Sequence, residues 1–557
     1  MLRINKIRII NFRSFKNSVL TIGKDLVIAG PNNSGKSNFL YAIYIALSRY
    51  SNIGEFDFYN QNYQEDILID IVLKNYNDFE SIEFEEVWYD IFHEMIVPHD
   101  NSDSIIVRFR GFYDKESDTF KTKRTLITDF DNLNNEGSTL PKYFYDCISV
   151  YYFDSQRDIS DEIKRKNSNF SKMINSIRST IPKKDKDKIN NNLIEINKLI
   201  MSSFPRLSEI EKKLSEVGNI LNENNIVKVY PVPNNIDDLK ESIQLLLHYN
   251  NNVILPISLY GDGTKSWLSI LSLSKSIEII KSNINLSFLP YASIVLVEEP
   301  EAHLHPTAQM KVLNEIMKIN GHKIISTHSG DVLCKTEINK IAVMKNENSE
   351  SELAVFNDEI FEENEICKIY NQIIDTKSSI ILSGNVILVE GITDVLLLKF
   401  LFRLSHGYDF FDIGYTIVNC EGVDNIPFFF RFLKNLNKNV IVFADNDSQH
   451  KIVEFYRTNR YDRKKLYFTS EKNIDSTIGL FMRYNIIKIF KNNYGKRYII
   501  SLINSGKLNH KIYKYLDNNK SIYPYKIRDL LSNYTQRDIH SSLPPCIRKL
   551  FKNIVKE

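Results

Sequence analysis

Apolar and polar residues alternate through LRINKIRIINF (2–12), the period of a half-buried strand, and DLVIAG (25–30) is a second short strand that stops at a glycine. From Lys36 to Tyr50 the apolar positions shift to helical spacing, with Phe39, Leu40, Ile43, Ala46 and Leu47. Between about 65 and 150, ILIDIVL, SIIVRFRGFY and CISVYYF predict further strands separated by Asn/Asp-rich turns. Residues 159–225 change character. There INNNLIEINKLIMSSF and RLSEIEKKLSEVGNILN set Ile and Leu at helical intervals among Lys, Asn and Glu. This predicts an inserted helical hairpin, a packing or dimerisation arm rather than a site. Strand–helix alternation returns from 253 to 345, and a polar stretch and a helical segment over 358–378 lead into a new strand, NVILVEG. The pattern predicts an α/β chain in three parts: 1–378, 379–480 and an extension over 481–557.

Gly30-Pro-Asn-Asn-Ser-Gly-Lys-Ser matches GxxxxGK[ST] and lies between a strand and a helix, the context that phosphate cradling requires. Gly30, Asn33 and Gly35 belong to a loop whose N–H groups close around phosphate oxygens, reinforced by the positive end of the following helix. Lys36 reaches the β- and γ-phosphates, and the Ser37 hydroxyl completes a Mg²⁺ shell. SIVLVEEPEAHLHP (293–306) is an apolar strand ending in two acids. Glu298 holds Mg²⁺ through water in this reading, and Glu299 orients or deprotonates the attacking water. HKIISTHS (322–329) brings His328 to the γ-phosphate. A lone histidine after a strand is ordinarily structural, and its order after the two acids is what gives it a role here. SLYGDGTKSW (258–267) is a glycine-rich turn, with Gly261 and Gly263, entering an apolar helix. Gln61 and Gln64 are equal candidates for a Mg²⁺-sensing glutamine.

A second constellation lies downstream. NVILVEGITDVLLLKFLF (385–402) is a buried strand ending at Glu390, followed by a helix with Asp394 in its first turn. VIVFADND (440–447) is another apolar strand, ending in Asp445-Asn-Asp447. In extended chain the side chains at i and i+2 share a side, so both aspartates can face one metal. Parallel strands deliver such acids to the crevice of an open α/β sheet. Four oxygen donors with no paired His or Cys suit Mg²⁺ or Mn²⁺ rather than zinc. Any one of these acids is more often a solvated strand end; the reading rests on the two runs together. Glu421 and Asp475 are weaker further ligands.

Composition narrows the class. Hydrophobic residues make up 43% and charged residues 25% of the 557, ordinary for a folded soluble protein too long for one core. No uncharged apolar stretch of about 18 residues occurs, which predicts no membrane-spanning helix. The first residues lack the apolar block of a secretion signal. Five scattered cysteines without a CxxC pair fit a reducing cytoplasm better than a disulfide framework or a zinc site. The net charge of +2 conceals a balance of +12 over 481–557, where 16 Lys+Arg face 4 Asp+Glu. By itself this reads as a solvated basic face.

INFRSF, the 30–37 loop, GDGTKS, VEEPEAHLHP and STHS, in that order, resemble an ABC-type ATPase of the Rad50/SMC/RecF group. The resemblance implies that Gly261 and Gly263 of one subunit close the nucleotide site of another, so that the nucleotide governs a homodimer or higher homo-oligomer. Two departures bear on the hydrolysis rate: Glu298 stands where many relatives carry Asp, and GDGTKS where transporters carry LSGGQ. ILVEGITD followed by VIVFADND resembles the Toprim domain of topoisomerases, primases and nucleases. The two in one chain are similar to the OLD (overcoming lysogenization defect) endonucleases, over residues 1 to about 480. That implies a DNA-cleaving enzyme using ATP and Mg²⁺ or Mn²⁺, one metal ion with ATP and two in the Toprim site. Relatives serve in phage defence, as in Gabija and retron-associated effectors, with an accessory protein or a nucleic-acid cofactor such as retron msDNA as partner. In this light the basic, tyrosine-interleaved end reads as a DNA-contacting surface, with Lys496, Arg497, Lys511 and Lys514 on phosphates. OLD enzymes also use a lysine C-terminal to the acids, for which Lys549 is the candidate.

The expected function is ATP-regulated phosphodiester hydrolysis by Glu390, Asp394, Asp445 and Asp447. Strand passage would need a DNA-attacking tyrosine in a recognisable domain, and priming would need a nucleotide-handling module; neither is legible. An ATP-operated DNA clamp without cleavage is the other class, and a membrane transporter lacks its membrane partner.

Overall fold

The computed structural model describes residues 1–49, 51–77, 80–135, 137–155, 181–204, 232–233, 246–249, 253–285, 289–347, 350–369, 371, 379–474, 477, 483–508, 510–512, 536, 539–540 and 543–556. Most of the 159–225 arm lies outside these residues; within it, Lys183–Ser203 is one helix. Contacts divide the chain into two compact units, 1–26 with 37–332, and 27–36 with 333–557. This partition differs from the one composition suggests. Strand Ile341–Glu347 pairs in parallel with residues 27–29, so the glycine-rich loop belongs with residues far downstream.

The first unit holds an antiparallel sheet in which Leu2–Phe12 lies between Phe15–Thr21 and Ile67–Tyr76, followed by Ser102–Asp114, Thr119–Leu126 and Ser138–Thr139. Ile7 with Ile9 and Ile69 with Ile71 are fully buried as the period of two requires, and Ile4 is fully buried too, beyond a register shift between Ile4 and Lys6. Charged residues are buried in this sheet too, and Asp70 is fully covered. Asp70 pairs across the strands with Arg8 on one side and Arg108 on the other. Its carboxylate accepts from Arg108 Nε at 2.7 Å and Nη2 at 2.9 Å, and from Arg8 Nη1 at 3.0 Å. The guanidiniums also hold the carbonyls of Phe130, Leu133 and Asn135. Asp70→Ala would strand two buried cations and release that loop. We expect a loss of about 3–5 kcal/mol of unfolding free energy in urea titration.

The same unit contains a parallel set, Ile148–Phe153, Ala292–Glu298 and His322–Thr327, with Ile148 opposite Ala292 and Ile294 opposite His322. All seven residues of ASIVLVE are buried, which is why the run is continuously apolar rather than alternating. His322 Nδ1 accepts from Ile4 N at 3.0 Å and Nε2 donates to the Lys24 carbonyl at 2.8 Å, so the ring is a neutral structural tie. Burial lowers its pKa to about 4.

In the second unit a four-stranded parallel sheet runs in the order Tyr415–Asn419, Asn385–Val389, Asn439–Ala444, Leu466–Phe468. Helices Ile392–His406, Ile426–Asn435 and Gln449–Thr458 connect the strands. The chain moves outward on one side of the first strand and then returns to the other, so the strand order reverses there. The C-terminal residues join this core. Ile547, Leu550, Phe551 and Ile554 of helix Pro545–Lys556 pack with Phe402, Phe410 and Tyr467, and Phe402 meets Phe551 edge to face at 5.0 Å. The basic end therefore continues the parallel-sheet core.

Candidate functional site: a glycine-rich loop and an acidic crevice

The loop over 30–37 has the backbone its sequence demands. Asn33 and Gly35 take left-handed conformations, φ 61° and 101°. At Gly30 a Cβ would lie 2.3 Å from the Met344 carbonyl oxygen, so only glycine fits. Lys36, buried, donates from Nζ to the Gly30 and Pro31 carbonyls at 3.1 and 2.9 Å and opens helix Lys36–Leu47. Ser34 Oγ is buried without a hydrogen-bond partner among the described residues, an orphan polar atom that suits a phosphate-binding loop.

In the first unit, Ser37 and Tyr152 both hydrogen-bond the Glu298 carboxylate, the Tyr152 hydroxyl at 2.5 Å from Oε1. Burial raises the Glu298 pKa, and these two donors oppose the rise. Glu299 sits at φ 42°, and its Oε1 lies 3.3 Å from His328 Nε2. The predicted Ser37, Glu298, Glu299 and His328 thus fall into two touching pairs. Tyr152 and Glu301 were not predicted. Nothing in the run CISVYYF singles out Tyr152, whereas Glu301 is the third acid of EEPE and was open to suspicion. Gly261 would tolerate a Cβ, with nothing within 4 Å, while a Cβ on Gly263 would come 2.6 Å from the His303 carbonyl oxygen. Gln61 and Gln64 are both exposed, Gln61 at φ 58°.

The acids of the second unit converge. Glu390 follows the first strand of the parallel sheet and Asp445 follows its neighbour, at the reversal of strand order, where open α/β sheets bind ligands. Glu390 Oε1 accepts from Asp445 N at 2.8 Å and Oε2 from Ser448 Oγ at 3.2 Å. Asp445 Oδ1 accepts from Ile474 N at 2.9 Å. Asp394, buried, accepts from Gly391 N at 2.8 Å across the start of its helix. Burial first, then Asp394, Glu390 and Asp447, push the Asp445 pKa up to about 8. Glu390 is raised by burial and by Asp447 and Asp424.

Four carboxylates crowded in this way want a cation, and their hard oxygens fit Mg²⁺ or Mn²⁺. Among the described residues, however, no group of three or more His, Cys, Asp or Glu is preassembled to hold a metal ion. The hydrogen bonds explain this: Glu390 is turned onto Asp445 N and Ser448, and Asp394 onto Gly391 N. Glu421 is exposed at φ 59°, while Gly422 N donates to the Glu390 carbonyl at 2.8 Å. Asp475 lies outside the described residues, as does Lys514. Lys496, Arg497, Lys511 and Lys549 are all exposed on helices. Sequence reading missed Ser448, Asp424 and Lys451; the last two pair at 2.8 Å, and Glu390 as well as Asp424 raises the Lys451 pKa.

These features define a class: a nucleotide-loop ATPase joined to an acid-bearing parallel sheet of Toprim type. A family model described as "AAA ATPase domain" matches residues 2–333, and one described as "Overcoming lysogenization defect protein-like, TOPRIM domain" matches residues 381–447. The chain belongs to the AAA ATPase domain family and carries an OLD-like TOPRIM domain after it. It is 26% identical over 467 residues to the Old nuclease of Escherichia phage P2, covering 80% of this chain and 77% of that protein. It is 22% identical over 514 residues to the endonuclease GajA of Bacillus cereus (strain HuB5-5), covering 86% and 69%. The C-terminal region of the Burkholderia pseudomallei OLD protein is 12% identical, with a TM-score of 0.25, over 31% of this chain and 98% of that one. No described helix is long and apolar enough to cross a membrane.

Proposed function

We propose that this chain is an ATP-regulated, divalent-metal-dependent DNA endonuclease or nickase acting in antiphage defence. The observation that carries the reading is the meeting of Glu390, Asp394, Asp445 and Asp447 at the reversal of strand order in a TOPRIM sheet. The names of the Old nuclease and of the endonuclease GajA support the reaction class.

Glu390, Asp394, Asp445 and Asp447 would hold Mg²⁺ or Mn²⁺, with Glu421 and Asp475 as outer candidates. The ion, when bound, supplies Lewis-acid activation of water and charge stabilisation at the leaving oxygen. The protein's own part is to fix the acids on a rigid sheet edge and to present cations to the phosphodiester backbone. Lys451 is tethered by Asp424 beside the crevice. Lys496, Arg497, Lys511, Lys514 and Lys549 supply the basic surface for DNA. At the other end, Gly30 to Ser37 bind ATP, Glu298 and Ser37 share its Mg²⁺, and Glu299 with His328 act at the γ-phosphate. Gly261 and Gly263 complete the site of a second copy in a homo-oligomer, and an accessory defence protein or nucleic-acid cofactor acts as trigger.

A second reading is an ATP-operated DNA clamp that does not cleave. The test is purified protein with supercoiled plasmid and Mg²⁺ or Mn²⁺, with and without ATP, followed by analysis of the product ends. Unsealed, metal-dependent ends are expected. Intact plasmid retained in a protein complex under every metal condition would leave only the clamp.

A further inference from the structure

The segment after strand Ala292–Glu298 carries two residues, Glu299 at φ 42° and His303 at φ 62°, in a left-handed backbone region that residues other than glycine adopt uncommonly. Such geometry persists where the surroundings impose it. Here the imposing contacts come from two directions. Glu299 N donates to the Ser326 carbonyl at 2.9 Å. The Glu301 carboxylate then reaches the loop that bears His328. Its Oε1 accepts from Thr327 Oγ1 at 2.7 Å, from His328 N at 2.7 Å and from Ser329 N at 3.1 Å. Its Oε2 is buried with no hydrogen-bond partner among the described residues. One oxygen therefore gathers three donors. On the far side, the His303 carbonyl lies beside Gly263 at the start of helix Asp262–Asn285, where a Cβ would meet its oxygen at 2.6 Å.

We propose that Glu301 is a positioning residue for ATP hydrolysis. By gripping the amides of His328 and Ser329 it sets the His328 ring against Glu299, and through His303 it passes the position of that loop to the Gly263 helix. The proposal rests on the reading of Glu299 and His328 as γ-phosphate-facing groups and names what holds them there. Glu301 itself touches neither nucleotide nor water in this scheme. It acts through backbone amides, so it has to be an acceptor but does not have to be charged.

That distinction sets the experiment. ATP turnover and binding of a fluorescent ATP analogue are measured for the full chain and for Glu301→Ala, Glu301→Gln, Thr327→Val, His328→Ala and the Glu301→Ala/His328→Ala pair. Glu301→Ala is expected to lower kcat by about 30-fold or more with analogue affinity within about twofold. Glu301→Gln keeps an acceptor oxygen and is expected to retain at least about a third of the rate. Thr327→Val, which removes one donor of three, is expected to lose about three- to tenfold, and it keeps the test open if Glu301→Ala fails to fold. The double variant is expected to match His328→Ala alone, because Glu301 works through that loop. Effects that multiply in the double variant, or a Glu301→Gln as slow as Glu301→Ala, would overturn the proposal while the wild type still hydrolyses ATP. A wild type that binds the analogue but never turns ATP over would remove both this proposal and the reading beneath it.

Discussion

Asp445→Ala and Asp445→Asn should each lower metal-dependent DNA cleavage by more than about 10³-fold while leaving ATP turnover within about twofold. Asp445 stands at the centre of the crevice. Burial and then Asp394, Glu390 and Asp447 all oppose its ionisation. The two substitutions separate chemistry from architecture. Alanine also removes the acceptor for Ile474 N, and with it a tie to the segment that closes over Asp445. Asparagine keeps an acceptor at that place. It also removes a carboxyl whose ionisation is opposed by burial and by three neighbouring acids, so the metal-free Asp445→Asn protein should be more stable than wild type by about 0.5–2 kcal/mol in thermal melts. A site built for a bound cation shows this opposition of activity and stability, whereas a structural aspartate loses both together. Cleavage at the wild-type rate by either pure variant would dismiss the nuclease assignment. A large drop in the stability of Asp445→Asn would reassign the residue to structure.

The fold class was largely legible because the chain changes period wherever it changes element. LRINKIRIINF mixes apolar and polar residues and forms a strand of mixed burial; ASIVLVE and VIVFA are dominated by apolar residues and form strands buried throughout. The acids at 390 and 445 were legible for a related reason. An apolar run that ends in carboxylates sets them at the strand's C-terminal edge, and it is two such runs on neighbouring strands that make them candidates for a site. What sequence could not give was pairing between distant residues. Asp70 reads as an ordinary polar position in ILIDIVL, yet it is wholly buried between two arginines drawn from strands on either side. Tyr152 lies in a run of aromatic residues, and only the register of its strand against Ala292–Glu298 brings it to Glu298. At the C-terminal end the charge count showed a basic extension but not its packing: Ile547, Leu550, Phe551 and Ile554 recur at helical spacing and join the core of the parallel-sheet unit. The metal cage was anticipated from four convergent carboxylates. The structure shows that convergence can coexist with side chains engaged by backbone amides.

Lys36→Ala is expected to cut ATP hydrolysis by more than about 10²-fold and to make cleavage indifferent to ATP, whichever sign the wild-type response has. The lysine is well placed for a clean result. Its ammonium donates to the Gly30 and Pro31 carbonyls of its own loop, and it opens the helix Lys36–Leu47, where alanine is the best helix former. Stability should therefore change by about 1 kcal/mol or less, so that a loss of turnover cannot be ascribed to unfolding. Ser37→Ala provides the contrast. It removes a donor to Glu298 and should weaken the Mg²⁺ dependence of nucleotide binding more than binding itself. If Lys36→Ala cleaves DNA and still responds to ATP as wild type does, ATP must reach the acidic crevice by a route other than this loop, and the two halves of the chain would be joined without being coupled. If the response vanishes while metal-dependent cleavage persists, nucleotide occupancy at residues 30–37 is the input and the carboxylates around Asp445 are the output of one switch.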